Sequence, residues 1–108
     1  MLTKKESYNV AVVGATGIVG ESLLEILYSR RFPISSIHAV ASKKSKGSKA
    51  KFGDQLLTVE SLDEFNFTDI DIAFFSAGSS VSKEYATKAT TQGCIVIDNT
   101  SEFRYEQD

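Results

Sequence analysis

The feature that most constrains how this chain can fold is an apolar run that ends in three evenly spaced glycines. Residues 8–13 (Tyr-Asn-Val-Ala-Val-Val) are β-branched and nearly continuously apolar, which is typical of a parallel strand buried on both faces. Gly14, Gly17 and Gly20 follow directly, and residues 18–30 then have helical spacing. The apolar residues of that segment fall three or four apart and are predicted to share one helix face: Val19, Leu23, Ile26 and Leu27.

The rest of the chain repeats this alternation of strand and helix. Further strands are predicted over residues 37–41, 70–75 and 95–97, and a second helix from about residue 80 to residue 92. Residues 42–50 are predicted to form an exposed loop, and residues 51–60 one or two weak strands around a Gly53-Asp54 turn. The pattern predicts one α/β domain over residues 1–108, a Rossmann-type, doubly wound and mostly parallel sheet. Right-handed crossovers would place the strand-to-helix loops along one edge, where ligands bind.

Composition excludes several classes of protein. The 108 residues carry a formal net charge of -2 and a single cysteine, so no internal disulfide can form. The longest apolar runs are far shorter than the roughly 20 residues of a membrane helix, and the polar start of the chain does not resemble a signal peptide. Lysine and arginine are dispersed outside residues 43–51, which argues against nucleic acid. These features predict a small cytoplasmic domain with a small-molecule partner.

The glycine turn predicts a site for a dinucleotide. The first glycine permits a sharp turn, the second lets backbone amides approach a pyrophosphate, and the third lets the helix pack on the strand. The anion would lie at the positive end of the helix, held by the amides of about Thr16 to Val19. The alternative is a tight turn without a ligand.

The end of the second predicted strand distinguishes the two common dinucleotides. An NAD site normally has an acidic residue there for the ribose 2′-hydroxyl. Residues 41–47 contain no carboxylate and three lysines, which would match the 2′-phosphate of NADP. The alternative is a solvated lysine-rich loop.

Other polar positions are less specific. Ser76 to Ser79 repeat the small-residue turn after a later strand, either beside the cofactor or as a simple turn and helix cap. Arg104 is either a ligand of a phosphate or carboxylate or a surface arginine. His38 is interpreted as structural and Cys94 as an unreactive packing residue. No grouping of histidine and cysteine suits a metal, so neither a metal site nor a catalytic residue is predicted.

Together these stretches resemble the aspartate-semialdehyde dehydrogenase family over nearly the whole chain. The matching motifs are residues 10–20, Arg31-Phe32-Pro33, Ala41-Ser42, Phe75-Ser76-Ala77-Gly78 and residues 97–104. The resemblance implies three groups of cofactor contacts: Thr16, Gly17, Ile18 and Val19 at the pyrophosphate, Lys44 and Ser45 at the 2′-phosphate of NADP, and Ser76, Ala77 and Gly78 towards the nicotinamide. Gly14, in the turn itself, is also predicted to bind the cofactor. It also implies that Arg104 binds the phosphate of the substrate. Many members carry arginine at the position of Lys44, so the bidentate geometry would be lost here.

The resemblance also implies a reaction and an assembly. The family reduces aspartyl phosphate to aspartate semialdehyde with NADPH and releases phosphate, a step towards lysine, threonine, methionine and diaminopimelate, and its members are homodimers. Its catalytic cysteine, in an Asn-Cys-(Ser/Thr) motif, and its histidine have no counterpart in this chain. We therefore expect a truncated NADP-binding portion that is inactive alone. The alternatives are an N-acetyl-glutamyl-phosphate reductase-type domain, or a stand-alone nucleotide-sensing module, against which the abrupt end of the chain argues.

Overall fold

The computed structural model describes residues 6–76 and 79–98, with only the backbone described at residues 79–83 and 98. Within these ranges two helices are present, α1 (Ile18–Ser29) and α2 (Ser79–Thr91). The strands are β1 (Tyr8–Val13), β2 (Ile34–Ala41), β3 (Lys49–Phe52), β4 (Gln55–Thr58), β5 (Glu60–Ser61), β6 (Ile72–Phe75) and β7 (Ile95–Asp98). In the part of the chain described, no helix is both long enough and apolar enough to cross a membrane.

Five of the strands form one parallel sheet in the order β5-β2-β1-β6-β7. The chain moves from β1 to one side for β2 and β5, and then crosses back to the other side for β6 and β7. This reversal places a crevice at the carboxyl ends of β1 and β6, the position at which open α/β sheets bind ligands. The predicted Rossmann-type, mostly parallel fold is confirmed.

The core lies on both faces of β1. Val10 and Val12 pack with Leu24 and Leu27 of α1, whereas Ala11 and Val13 pack in a second cluster on the opposite face with Phe67, Phe75 and Cys94. Alternate residues of a strand point to opposite faces, and all four β1 residues are fully buried. The continuous apolar run therefore belongs to a central strand, as the sequence predicts.

The buried residues of α1 coincide only in part with the predicted apolar face. It consists of Gly20, Leu24 and Leu27, whereas Val19 and Ile26 are 39% and 50% exposed. The reason is the close approach of Gly20 to Gly14, because this contact sets the rotation of the helix about its axis. Of the four residues predicted to share one face, Leu23 and Leu27 therefore pack on the core, while Val19 and Ile26 lie towards the solvent.

Residues 49–61 are more ordered than predicted. β3 and β4 form an antiparallel hairpin outside the main sheet, with Phe52 packed edge-on against Tyr28 of α1 at 5.3 Å between ring centroids. The two-residue strand β5 then joins the main sheet beside Val40 and Ala41. β2 also begins three residues earlier than predicted, because Ile34 pairs with Tyr8.

Candidate dinucleotide site

The turn after β1 is held in place by backbone hydrogen bonds to β2. The amides of Gly14 and Ala15 both donate to the carbonyl of Val40, at 2.7 and 3.1 Å. Gly14 has a φ of 89°, in the left-handed region that residues with a Cβ atom disfavour. The chain therefore leaves the sheet abruptly and enters α1 within four residues.

Backbone amides at the start of α1 point to an anion site. Gly17 caps the helix without a side-chain hydrogen bond, in an extended conformation (φ -86°, ψ 171°). Gly17 donates to the Gly14 carbonyl at 3.1 Å, but the amides of Thr16, Ile18 and Val19 have no backbone acceptor among the described residues. Such amides and the helix dipole together favour a phosphate group at this end of the helix.

Only glycine fits at position 20. A Cβ atom there would lie 2.8 Å from the Cα of Ala15 and closer still to the carbonyl oxygen of Gly14. At Gly17, by contrast, the nearest atom to such a Cβ would be the Gly14 oxygen at 3.5 Å, an ordinary contact. Gly14 and Gly20 thus determine the shape of the turn. Gly17 leaves the outer surface of the turn without a side chain. These residues fit the diphosphate of a dinucleotide.

A cavity of about 500 Å³, here called the glycine cavity, opens beside this turn. Its wall includes residues from the ends of β1, β2, β5 and β6 and from α2: Gly14, Thr16, Gly17, Ser42, Lys43, Leu62, Asp63, Ser76 and Tyr85. Cavities of this size commonly hold small-molecule ligands. Ser76 is tied to β1, since its amide donates to the carbonyl of Val13 at 2.9 Å and its hydroxyl donates to the same oxygen at 3.0 Å.

The structure brings some predicted site residues together and leaves others outside its description. Gly14, Thr16, Gly17 and Ser76 line the glycine cavity, and Ile18 and Val19 begin the adjoining helix. Ala77, Gly78 and Arg104 lie outside the described residues, so their roles stay predictions.

The lysine-rich segment forms a single 3-10 turn after β2, over Lys43–Ser45. Lys43 lines the glycine cavity. Lys44 is exposed and, within the described residues, is not part of that wall. Ser45 faces a neighbouring cleft of about 860 Å³ between α1 and the β3–β4 hairpin, which Thr16 also lines. Lys46 points elsewhere, because its Nζ donates to Glu64 at 2.7 Å and this partner raises the Lys46 pKa.

Asp63 and Tyr85 are cavity residues that sequence reasoning missed. Asp63 accepts a hydrogen bond from the hydroxyl of Ser61; this bond is the main reason that its pKa is lowered, and the charges of Lys43 and Lys46 act in the same direction. The sequence signal for Asp63 is weak, since it depends on the two-residue strand β5 joining the main sheet. Tyr85 reaches the cavity from the first half of α2.

His38 and Cys94 have surroundings that fit structural roles. The Nδ1 of His38 lies 2.8 Å from Glu60 Oε2 and its Nε2 lies 3.3 Å from the Ser36 hydroxyl. Cys94 is 4% exposed, and burial raises the pKa of its thiol to about 11. Over the described ranges, no three histidine, cysteine or acidic side chains are grouped to hold a metal ion.

The sequence of this chain matches one family over most of its length. The model of the semialdehyde dehydrogenase NAD-binding domain covers residues 9–108. The chain belongs to this family. The semialdehyde dehydrogenase domain is similar to aspartate-semialdehyde dehydrogenases from Legionella pneumophila, at 57% identity over 100 residues, and from Rickettsia typhi, at 58% over 103 residues. These alignments cover 93% and 95% of the chain but only 29% and 30% of the relatives.

Solved structures give the same family likeness. Aspartate-semialdehyde dehydrogenase II of Vibrio cholerae, solved with ASA, matches 94% of this domain with a TM-score of 0.85 and 43% identity. The Candida albicans enzyme, solved with NADP, matches 91% with a TM-score of 0.70 and 25% identity. The domain spans about a third of each of these chains, 33% and 31%. The family resemblance read from the motifs is confirmed.

Proposed function

We propose that this domain holds NADP(H) for an aspartate-semialdehyde dehydrogenase, which reduces L-aspartyl 4-phosphate to L-aspartate 4-semialdehyde and releases phosphate. The observation that carries the proposal is the group of backbone amides at Thr16, Ile18 and Val19, which have no backbone acceptor among the described residues. They lie beside a glycine turn that leaves room for a diphosphate. The named relatives and the family description support the choice of reaction.

The chain's own residues divide the work of holding the cofactor. The amides from Thr16 to Val19 bind the diphosphate, and the lysine-rich turn binds the 2′-phosphate through Lys44 and Ser45. Lys43 adds positive charge at the mouth of the glycine cavity. We propose that Ser76, Ala77 and Gly78 border the nicotinamide, and that Arg104 binds the phosphate of the substrate. The bound dinucleotide supplies the hydride.

The covalent chemistry requires residues outside this chain. A thioester on a catalytic cysteine forms from its thiolate, and the single cysteine, Cys94, is buried with a pKa raised to about 11. The curated relatives are about three times longer than the matched segment, so we propose that the nucleophile, the acid–base histidine and the dimer contacts lie in the remainder of such a protein. We further propose that the enzyme is a cytoplasmic homodimer and that this chain alone does not turn over substrate.

Calorimetric titration of the chain with NADPH and with NADH tests the proposal. NADPH is expected to bind more tightly, because the lysine-rich turn complements the 2′-phosphate. Replacing Lys44 with alanine should weaken NADPH binding by about threefold to tenfold and leave NADH binding unchanged. Lys46→Ala is the matched control, since it removes the same charge from a side chain held by Glu64. Equal binding of the two nucleotides by the unsubstituted chain would contradict the assignment to NADP.

A further inference from the structure

The wall of the glycine cavity carries one carboxylate that the proposed function leaves unused. Asp63 lies two residues beyond the end of β5, in the same cavity as Gly14 and Gly17. Its side chain is exposed. A carboxylate in this cavity would repel the phosphate groups that the glycine turn attracts if they lay close to it.

The sheet order places Asp63 far from those phosphates. β5 is separated from β1 by β2, and neighbouring strands lie about 4.8 Å apart, so the end of β5 lies about 10 Å from the end of β1. A nucleotide whose diphosphate rests at the start of α1 and whose ribose lies at the end of β2 would bring its base over the end of β5. Asp63 is therefore placed nearer to the base than to the diphosphate.

The surroundings of Asp63 suit a flat, apolar ring with a polar edge. Ala41 and Leu62 border the cavity with small exposed fractions of 4% and 6%, and Tyr85 contributes a half-buried aromatic ring. Such surfaces bury the faces of a purine, while a single polar group at the margin reads its edge. Asp63 is the acidic member of this wall within the described residues.

The chemistry of Asp63 selects a hydrogen-bond donor. An ionised carboxylate only accepts hydrogen bonds. The Ser61 hydroxyl donates to Oδ1 of Asp63, and no other side chain among the described residues donates to this carboxylate. We propose that Asp63 determines base specificity by accepting a hydrogen bond from the exocyclic amine of adenine. This assignment rests on the proposed function, since it takes the dinucleotide to lie in the glycine cavity.

A nucleotide pair that differs only at the base tests the assignment. The chain is titrated calorimetrically with NADPH and with its deamino analogue, in which hypoxanthine carries an oxygen acceptor in place of the amine. The diphosphate, both riboses and the nicotinamide are the same in the two compounds, so the ratio of their dissociation constants reports on the base edge. The unsubstituted chain is expected to prefer NADPH by about tenfold, the size of effect of one hydrogen bond to a charged group.

Substitution of Asp63 then connects this preference to its side chain. Asp63→Asn keeps an oxygen for Ser61 but adds an amide donor that matches the hypoxanthine oxygen, so the ratio should fall to about one or reverse. Asp69→Asn is the matched control: Asp69 is an exposed residue before the amino end of β6, whereas the glycine cavity lies at the carboxyl ends of the strands. It should keep the tenfold preference.

The possible outcomes separate the role of Asp63 from the proposed function. Equal affinity of the unsubstituted chain for the two nucleotides would overturn the role of Asp63 while leaving the proposed function intact. The same holds if Asp63→Asn keeps the base preference but alters the ratio of NADPH to NADH, since Asp63 would then contact the ribose. Failure of the unsubstituted chain to bind either nucleotide would overturn the proposed function and this inference with it. If Asp63→Asn does not fold by circular dichroism, the ratio for the unsubstituted chain decides alone.

Discussion

Replacing Gly20 with alanine should destabilise the domain, although the same change in most helices is stabilising. Alanine is favoured over glycine inside a helix by about 1 kcal/mol. At Gly20, however, the added methyl group would lie 2.8 Å from both the Cα of Ala15 and the carbonyl carbon of Gly14. These are backbone atoms, which cannot move aside as a flexible side chain can. The helix as a whole must shift away from the end of β1.

The size of the effect follows from these opposing contributions. Overpacking of a well-packed contact costs about 1–3 kcal/mol, and a clash with backbone belongs at the upper end of that range. Subtracting the gain in helix propensity leaves a net loss of about 2 kcal/mol in the free energy of unfolding. For a domain of this size such a loss lowers the melting temperature by about 10 °C. The shift of α1 would also displace the amides of Ile18 and Val19 and weaken NADPH binding.

Urea unfolding followed by circular dichroism at 222 nm measures this change, with Gly17→Ala as the matched control. The methyl group at position 17 meets only the Gly14 oxygen at 3.5 Å, so the free energy of unfolding should fall by no more than about 1 kcal/mol, the cost of a poorer helix cap. NADPH binding should still weaken, because the second glycine allows close approach of the diphosphate. If Gly20→Ala is as stable as the parent or more stable, the packing argument is wrong.

Two further predictions concern the core. Leu24→Ala should lower the free energy of unfolding by about 2–4 kcal/mol, because Leu24 is fully buried; Ile26→Ala, at a half-exposed position two residues later, should change it by only about 0.5 kcal/mol, and equal losses in urea titrations would contradict the observed rotation of α1. Cys94 should resist thiol reagents at pH 8 unless urea is added. Its raised pKa stabilises the fold below the pKa of the unfolded thiol, so stability should fall between about pH 9 and pH 11; a Cys94→Ala variant that falls equally would refute the assignment of this loss to the thiol.

Local sequence signals were enough to predict β1, the glycine turn and the parallel sheet. The apolar run and the spacing of Gly14, Gly17 and Gly20 each lie within a short stretch of sequence. Each element could therefore be recognised from its own residues, without knowledge of what packs against it. The position of Ser76 was also predictable, because every parallel strand of such a sheet ends at the same edge. The hydrogen bonds from Ser76 to the carbonyl of Val13 show this edge in the structure.

Which side chains face the cavity could be read only from the packed structure. Among the lysines after β2, a 3-10 turn directs Lys43 to the cavity, and Glu64, eighteen residues beyond Lys46 in sequence, holds that lysine elsewhere. No repeating sequence pattern indicates which lysine faces the cavity, because the orientation of each side chain depends on partners distant in the chain.

What the sequence by itself determined is the glycine turn at the start of α1, because a strand, three glycines and a helix follow one another directly within residues 8–29. What only the tertiary structure decided is the other side of the cavity. Asp63 reaches it because the two residues of β5 pair with Val40 and Ala41, and Tyr85 reaches it because α2 packs against the sheet on the face opposite α1. Pairing of two residues with a strand twenty residues away is stabilised by long-range contacts, which leave no periodic signal in the sequence.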